Sequence, residues 1–171
     1  MKAYIGLTCK PGGFNEVLKA LLTKKFIDQQ DIFLLFGPVD ILIRFVNLKS
    51  LEEFIEKWFN PVRMIGAEED LITKTLSLIV ISEGPLVTEK PFAFVFLNTQ
   101  PKNLENVQKS ILNFPEVLSA DTVFGPYDVI CSVKANDQMD LLCTVTKIQE
   151  VPGVENSMTS IVSPINVFPE W

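Results

Sequence analysis

The feature that most constrains this chain is that it repeats itself. Gly37-Pro38-Val39-Asp40 returns as Gly125-Pro126-Tyr127-Asp128. Upstream, Ala3-Tyr4-Ile5-Gly6-Leu7 with Pro11 aligns with Ala93-Phe94-Val95-Phe96-Leu97 with Pro101. Downstream, Ile65-Gly66-Ala67-Glu68 aligns with Pro152-Gly153-Val154-Glu155. One tetrapeptide is a weak signal, but three landmarks in the same order in both halves define a duplication. Between them, Ser82 to Pro91 carries Gly-Pro punctuation and ends on proline, as a connection does. The expected division is therefore a first domain over residues 1–83, a linker over 84–90 and a second domain over 91–171.

Each half reads as strand, helix, strand, strand, helix, strand. Phe14, Val17, Leu18, Leu21 and Leu22 follow the i, i+3, i+4, i+7, i+8 spacing of one helix face, and Leu51, Phe54, Ile55, Trp58 and Phe59 repeat it. Ser50 and Glu53 stand as a capping box ahead of that second stripe. In the second half Leu104, Val107 and Ile111 predict one helix. Leu141, Leu142, Val145 and Ile148 predict another, entered through Asn136 or Asp137 as N-cap. The strand runs, such as Ile32-Phe33-Leu34-Leu35-Phe36 and Phe94-Val95-Phe96-Leu97, are apolar on both faces, whereas a sheet covered on one side only should alternate with polar residues. The order βαββαβ is the ferredoxin-like unit. The predicted fold class is thus α+β, with two such units and antiparallel sheets whose open faces are covered. The simplest arrangement is a pseudo-dimer like a dimeric α+β barrel, formed within one chain or exchanged between chains.

Composition removes several classes of function. The 171 residues are 47% hydrophobic and 21% charged, the balance of a packed protein rather than a disordered one. Net charge is −6, and the densest basic cluster is Lys24-Lys25, so direct nucleic-acid binding and docking to an anionic membrane are not expected. Histidine is absent, which excludes Ser-His-Asp and Cys-His nucleophiles and His-ligated metals or haem. Cys9, Cys131 and Cys143 form no CxxC pair and read as small hydrophobes in a reducing compartment. The expectation is a cytoplasmic protein with no secretory leader or apolar span, and with no metal site, cofactor or catalytic residue.

The second half carries a more specific succession. Pro115-Glu116-Val117 precedes the Gly125-Pro126-Tyr127-Asp128 turn, and after a helix come Val151-Pro152-Gly153-Val154-Glu155 and Thr159-Ser160-Ile161-Val162. This resembles the ligand-binding (RAM) domain of the Lrp/AsnC family of feast/famine transcription regulators. The first half is similar but worn, with Val39 in place of the aromatic and Ile65-Gly66-Ala67 in place of Pro-Gly-Val. The resemblance covers nearly the whole chain apart from the linker and the Phe168-Pro169-Glu170-Trp171 tail. It implies tandem effector domains, with the family's helix-turn-helix expected to be missing because a strand already begins at residue 3 or 4. It also implies a small effector, usually an amino acid, held near the Gly-x-x-Asp turn at contacts between dimers. Carried over residue by residue, the effector-binding positions are Gly125, Tyr127, Asp128, Gly153 and Thr159, with Gly37 and Asp40 in the first half. Exposed N–H groups at a glycine turn hold a carboxylate, and an aspartate holds an ammonium.

The same residues have plainer roles. Gly37 and Gly125 can supply a positive φ between strands, Asp40 and Asp128 can cap the turn by accepting N–H bonds, and Pro152-Gly153 can stop a helix. Arg44 is expected to pair locally with Asp40, two pleats away. The leading functional expectation is a stand-alone sensing and oligomerisation module. It would bind a small metabolite, preferentially an amino acid, and act through self-association or homologous regulators rather than on DNA. It is expected not to be an enzyme. The alternatives are a cofactor-independent α+β barrel enzyme of monooxygenase or isomerase type, which the missing histidine argues against, and a purely structural assembly module.

Overall fold

The computed structural model describes residues 1–23 and 31–163. The Lys24-Lys25 pair and the tail at 168–171 lie outside the described residues. The chain divides into two compact units between Ser77 and Leu78, inside a strand rather than in the Gly-Pro segment that follows it.

Unit 1 begins with strand β1 (Ala3–Cys9), helix α1 (Phe14–Thr23), strand β2 (Ile32–Phe36) and strand β3 (Ile41–Phe45). Strand β3 is antiparallel to β1, with Ile5 opposite Ile43, and to β2, with Phe33 opposite Leu42. Strand β4 (Ile72–Ser82) enters beside β1, giving the order β4-β1-β3-β2 of a ferredoxin-like sheet. The apolar face of α1 is as expected, with Val17, Leu18 and Leu21 buried.

The second helix, α2, departs from the expected stripe. It runs through Leu51–Glu53, a π-helical segment Phe54–Phe59 and a last turn Asn60–Arg63. The wider π turn slips the phase of the side chains, because each extra residue rotates the following ones by about 100°. Phe54 is buried at the start of the segment, while Leu51 and Ile55, which the regular spacing places inside, are 45% and 38% exposed. Phe54 then packs edge-on to Phe45, with ring centres 5.6 Å apart, and Trp58 lies 5.5 Å from the same ring. The cap forms in altered detail. Ser50 Oγ accepts from Glu53 N at 3.1 Å, but the Glu53 carboxylate reaches Lys49 N at 2.7 Å. Ser50→Ala is expected to cost about 1 kcal/mol in urea unfolding, the usual value of an N-cap hydroxyl.

Unit 2 contains the end of β4, strand β5 (Ala93–Thr99), helix α3 (Leu104–Leu112), strand β6 (Val117–Phe124), strand β7 (Val129–Val133), helix α4 (Gln138–Gln149) and strand β8 (Val154–Val162). The order β8-β5-β7-β6 repeats that of unit 1, and Ile79–Ser82 of β4 pairs along the free edge of β6. One face of the sheet, with Val95, Leu97, Val129 and Cys131, packs on Val107 and Ile111 of α3 and Leu141 and Ile148 of α4. Leu142, expected on that apolar face, is 58% exposed instead. The opposite face is buried as well, since Phe94, Phe96 and Ile130 are at most 2% exposed. Helix α4 is capped by Asp137, whose Oδ1 accepts from Met139 N and Asp140 N at 2.8 and 2.9 Å.

Gly84, read from the sequence as the start of the linker, is pinned to β6. Its N–H donates to the buried Asp121 carboxylate at 2.7 Å. A Cβ there would lie 2.6 Å from the Ala120 carbonyl oxygen.

Candidate functional site

The two Gly-Pro-x-Asp turns, each opening a strand, match in their hydrogen bonding. Asp40 Oδ2 accepts from Cys9 N at 2.7 Å, and Asp128 Oδ2 accepts from Thr99 N at 2.8 Å. The main chain of each Asp bridges two strands. Asp40 N donates to Leu7 O and Asp40 O accepts from Leu35 N; Asp128 N donates to Leu97 O and Asp128 O accepts from Val123 N. Thr8 Oγ1 donates to Pro38 O, and Asn98 Nδ2 to Pro126 O. The aspartates thus do cap, but across the sheet, onto the end of a strand well upstream in the chain. Gly37 and Gly125 have the positive φ expected of them, 157° and 158°, though both values lie close to fully extended backbone.

A carboxylate accepting from a main-chain N–H is a strong bond. Asp128→Ala should therefore cost about 1.5–3 kcal/mol in urea unfolding, whereas Asp128→Asn, which keeps an acceptor without the charge, should cost visibly less.

The turns differ in what stands beside them. In the first half Val39 is buried against Gly6 and Leu76, and a Cβ on Gly6 would lie 3.0 Å from Val39 Cγ1 and 3.2 Å from Leu76 Cβ. The equivalent places in the second half hold Tyr127, Phe96 and Met158. The Tyr127 ring lies 5.3 Å from that of Phe96, and its hydroxyl donates to Met158 Sδ at 3.3 Å. An all-aliphatic contact in one copy is a half-exposed phenol in the other.

Gly153 joins the same corner. Its carbonyl accepts from Gln100 N at 2.9 Å, so the consecutive residues Thr99 and Gln100 tie the turn to the loop after α4. Gly153 is a genuine left-handed position, at φ 102°, and a Cβ would meet Asn103 Cβ at 2.6 Å.

Thr159 is not brought to this corner. It lies in the middle of β8 rather than at its start, opposite Val95, on the face that packs against the helices. Successive side chains alternate across a strand, so the residue on the Tyr127 face is its neighbour Met158, opposite Phe96. Met158 and Phe96 were missed; period-two counting back from Phe96 through the strand pair finds them. Thr99 was missed too. Its Oγ1 is buried beside the Asp128 clamp with no hydrogen-bond partner among the described residues.

In the first half the corner holds Cys9. Burial first, and the Asp40 carboxylate second, push its thiol up to about 11. Burial also raises Cys131, whereas Cys143 is exposed. Alkylation near pH 8 should therefore modify Cys143 first, Cys9 slowly and Cys131 only after unfolding, as read by peptide mass spectrometry. Arg44 does not pair with Asp40. Its guanidinium reaches Asp31 at 3.2 Å and lies over the Phe33 ring, since Asp40 is held by Cys9 N. Among the described residues no group of three or more His, Cys, Asp or Glu side chains is placed to hold a metal, and no helix is long and apolar enough to cross a membrane.

Residues 92–164 match the family model of the Lrp/AsnC ligand binding domain. No curated protein sequence matches the chain. Among solved structures, the protein TTHA0845 from Thermus thermophilus is 29% identical (TM-score 0.39), covering 42% of this chain and 89% of that one. The protein FFRP-DM1 is 30% identical (TM-score 0.39), covering 42% of this chain and 95% of that one. The siroheme decarboxylase NirDL is 10% identical but has a TM-score of 0.68 over 95% of this chain and 71% of its own. That match shows a shared fold, and it overturns the expectation that the chain is not an enzyme. A decarboxylase shares this fold, so missing histidine alone does not exclude catalysis.

Proposed function

We propose that the second half of this chain, the part matched by the Lrp/AsnC ligand binding domain, is an effector-binding module with its site at the Tyr127 corner. The observation that carries the reading is the exchange of Val39 for Tyr127 on an otherwise matching backbone. The scaffold of the turn needs only the Asp clamp, and the phenol, half-exposed between Phe96 and Met158, is an addition to it. Gly125 and Asp128 border the corner, with Gly153 one residue along from the clamp. Gly37 and Asp40 form the matching corner of the first half, which by this reading serves the scaffold. Thr159 has no part in it.

The effector is a small metabolite, with free amino acids the first class to test. The signal passes to a protein partner, either a second copy of this chain or a regulator with a homologous domain. The tandem arrangement, the lack of direct DNA contact and a cytoplasmic location belong to the same proposal. Thermal unfolding against the twenty amino acids tests it. A ligand at 100 times its dissociation constant stabilises by about 2.7 kcal/mol, a shift that Tyr127→Val should abolish without loss of fold. A flat profile sinks the amino-acid reading.

A second reading, catalysis, draws on the whole-chain fold match to NirDL, which has been crystallised with an iron-uroporphyrin III analogue. Titrating iron-uroporphyrin III into the protein and following its Soret band separates the two readings. A saturable shift favours the enzyme.

A further inference from the structure

Unit 2 contains a cleft that the Tyr127 corner does not use. Its volume is about 540 Å³, within the range of sites that take small organic molecules. Its walls are Glu116 at the foot of β6, Lys134 and Asn136 in the connection after β7, and Asp140, Cys143 and Lys147 along α4.

The lining charges are partly committed. Glu116 Oε1 accepts from Lys147 Nζ at 2.8 Å, and this bond holds Glu116 below the usual carboxylate range and Lys147 above its ordinary value. That pair is internally neutral at physiological pH. Asp140 Oδ2 accepts from Asn136 Nδ2 at 2.7 Å and Asn136 N at 3.3 Å. Its other oxygen accepts from no described residue. The Lys134 ammonium makes no hydrogen bond or close ion pair with a described residue. The cleft thus presents one cation with no direct partner, Lys134, whose charge also reaches Glu116, and one exposed open carboxylate oxygen, on Asp140; the unpartnered Glu116 Oε2 is buried in the wall, and the four charged side chains sum to zero. An anion would satisfy Lys134 but meet Asp140 unpaired, and a simple cation would do the reverse.

We propose that this cleft is a second ligand site, for a small zwitterion whose carboxylate meets Lys134 and whose ammonium meets Asp140. It shares no residue with the Tyr127 corner and does not depend on that reading.

Cys143 makes occupancy measurable, because it is the exposed thiol of the three and lies in the cleft wall. The experiment follows iodoacetamide modification of Cys143 in the full chain by peptide mass spectrometry, with buried Cys131 as the reference for intact fold. The probes are 4-aminobutyrate and 6-aminohexanoate, against hexanoate and hexylamine. At least one amino carboxylate should protect Cys143 saturably, and neither singly charged analogue should do so at the same concentration. Lys134→Met should weaken that protection by about tenfold, the loss expected from one charge-assisted contact, and leave the melting temperature unchanged. Protection should survive Tyr127→Val. The proposal is overturned by no protection at about 10 mM probe, where even weak millimolar binding would register. Equal protection by hexanoate or hexylamine, indifference to Lys134→Met, or loss of protection in Tyr127→Val would each overturn it too.

Discussion

Phe96→Ala is expected to be among the most damaging single changes in unit 2, costing about 3–5 kcal/mol in urea unfolding. Phe96 is fully buried, so its truncation leaves a void that the neighbouring strands β7 and β8 fill only in part. The change also removes the ring against which Tyr127 rests, while the Asp128 clamp on Thr99 remains. Loss of stability should therefore come with loss of any ligand response at that corner. Ile130→Val, on the opposed strand and equally buried, is the comparison: it should cost about 0.5–1.5 kcal/mol and leave the response intact. Equal costs for the two variants would mean that Phe96 is not packed as described.

The second large effect is expected at Gly153. Alanine there must adopt φ 102° and place its Cβ 2.6 Å from Asn103 Cβ. The backbone term is about 1–2 kcal/mol. Overpacking adds about 1–3 kcal/mol. Gly12 separates the two contributions, because it also has a positive φ, of 84°, but nothing lies within 4 Å of an added Cβ. Gly12→Ala should show the backbone cost alone. Asn103→Ala should not rescue Gly153→Ala, since the nearest atom is the Cβ that alanine retains. Hydrogen exchange at Gln100 N, whose acceptor is the Gly153 carbonyl, reports the local damage directly.

How much was legible in the sequence follows from what kind of signal each feature leaves. The recurrence of the turn was legible because hydrogen bonding at a turn repeats with the residues that make it. Gly-Pro-x-Asp in each half led to two clamps of nearly equal length, 2.7 against 2.8 Å. Helix α1 and the start of α4 were legible from 3.6-residue spacing and from the Asp137 cap. The π turn in α2 was not, because nothing in Phe54-Ile55-Glu56-Lys57-Trp58-Phe59 marks the extra residue; it is set by the packing of Phe54 and Trp58 on Phe45. The partner of each Asp carboxylate was also hidden, since it lies on a strand distant in sequence. Thr159 was misplaced by one residue, which in a strand means the wrong face. The cleft at Lys134 and Asp140 draws on three separate segments and has no motif at all.

The strand β4 carries a practical consequence for dissecting this chain. The segment matched by the family model starts at residue 92, yet β6 is edged by Ile79–Ser82 and Gly84 is bolted to Asp121. A fragment cut at the family boundary would bare the amide row of β6 and strip a buried carboxylate of its Gly84 donor. Bare strand borders recruit other chains. Such a piece should clump more readily than one beginning near residue 78, so excision for biochemistry ought to follow the strand and not the homology.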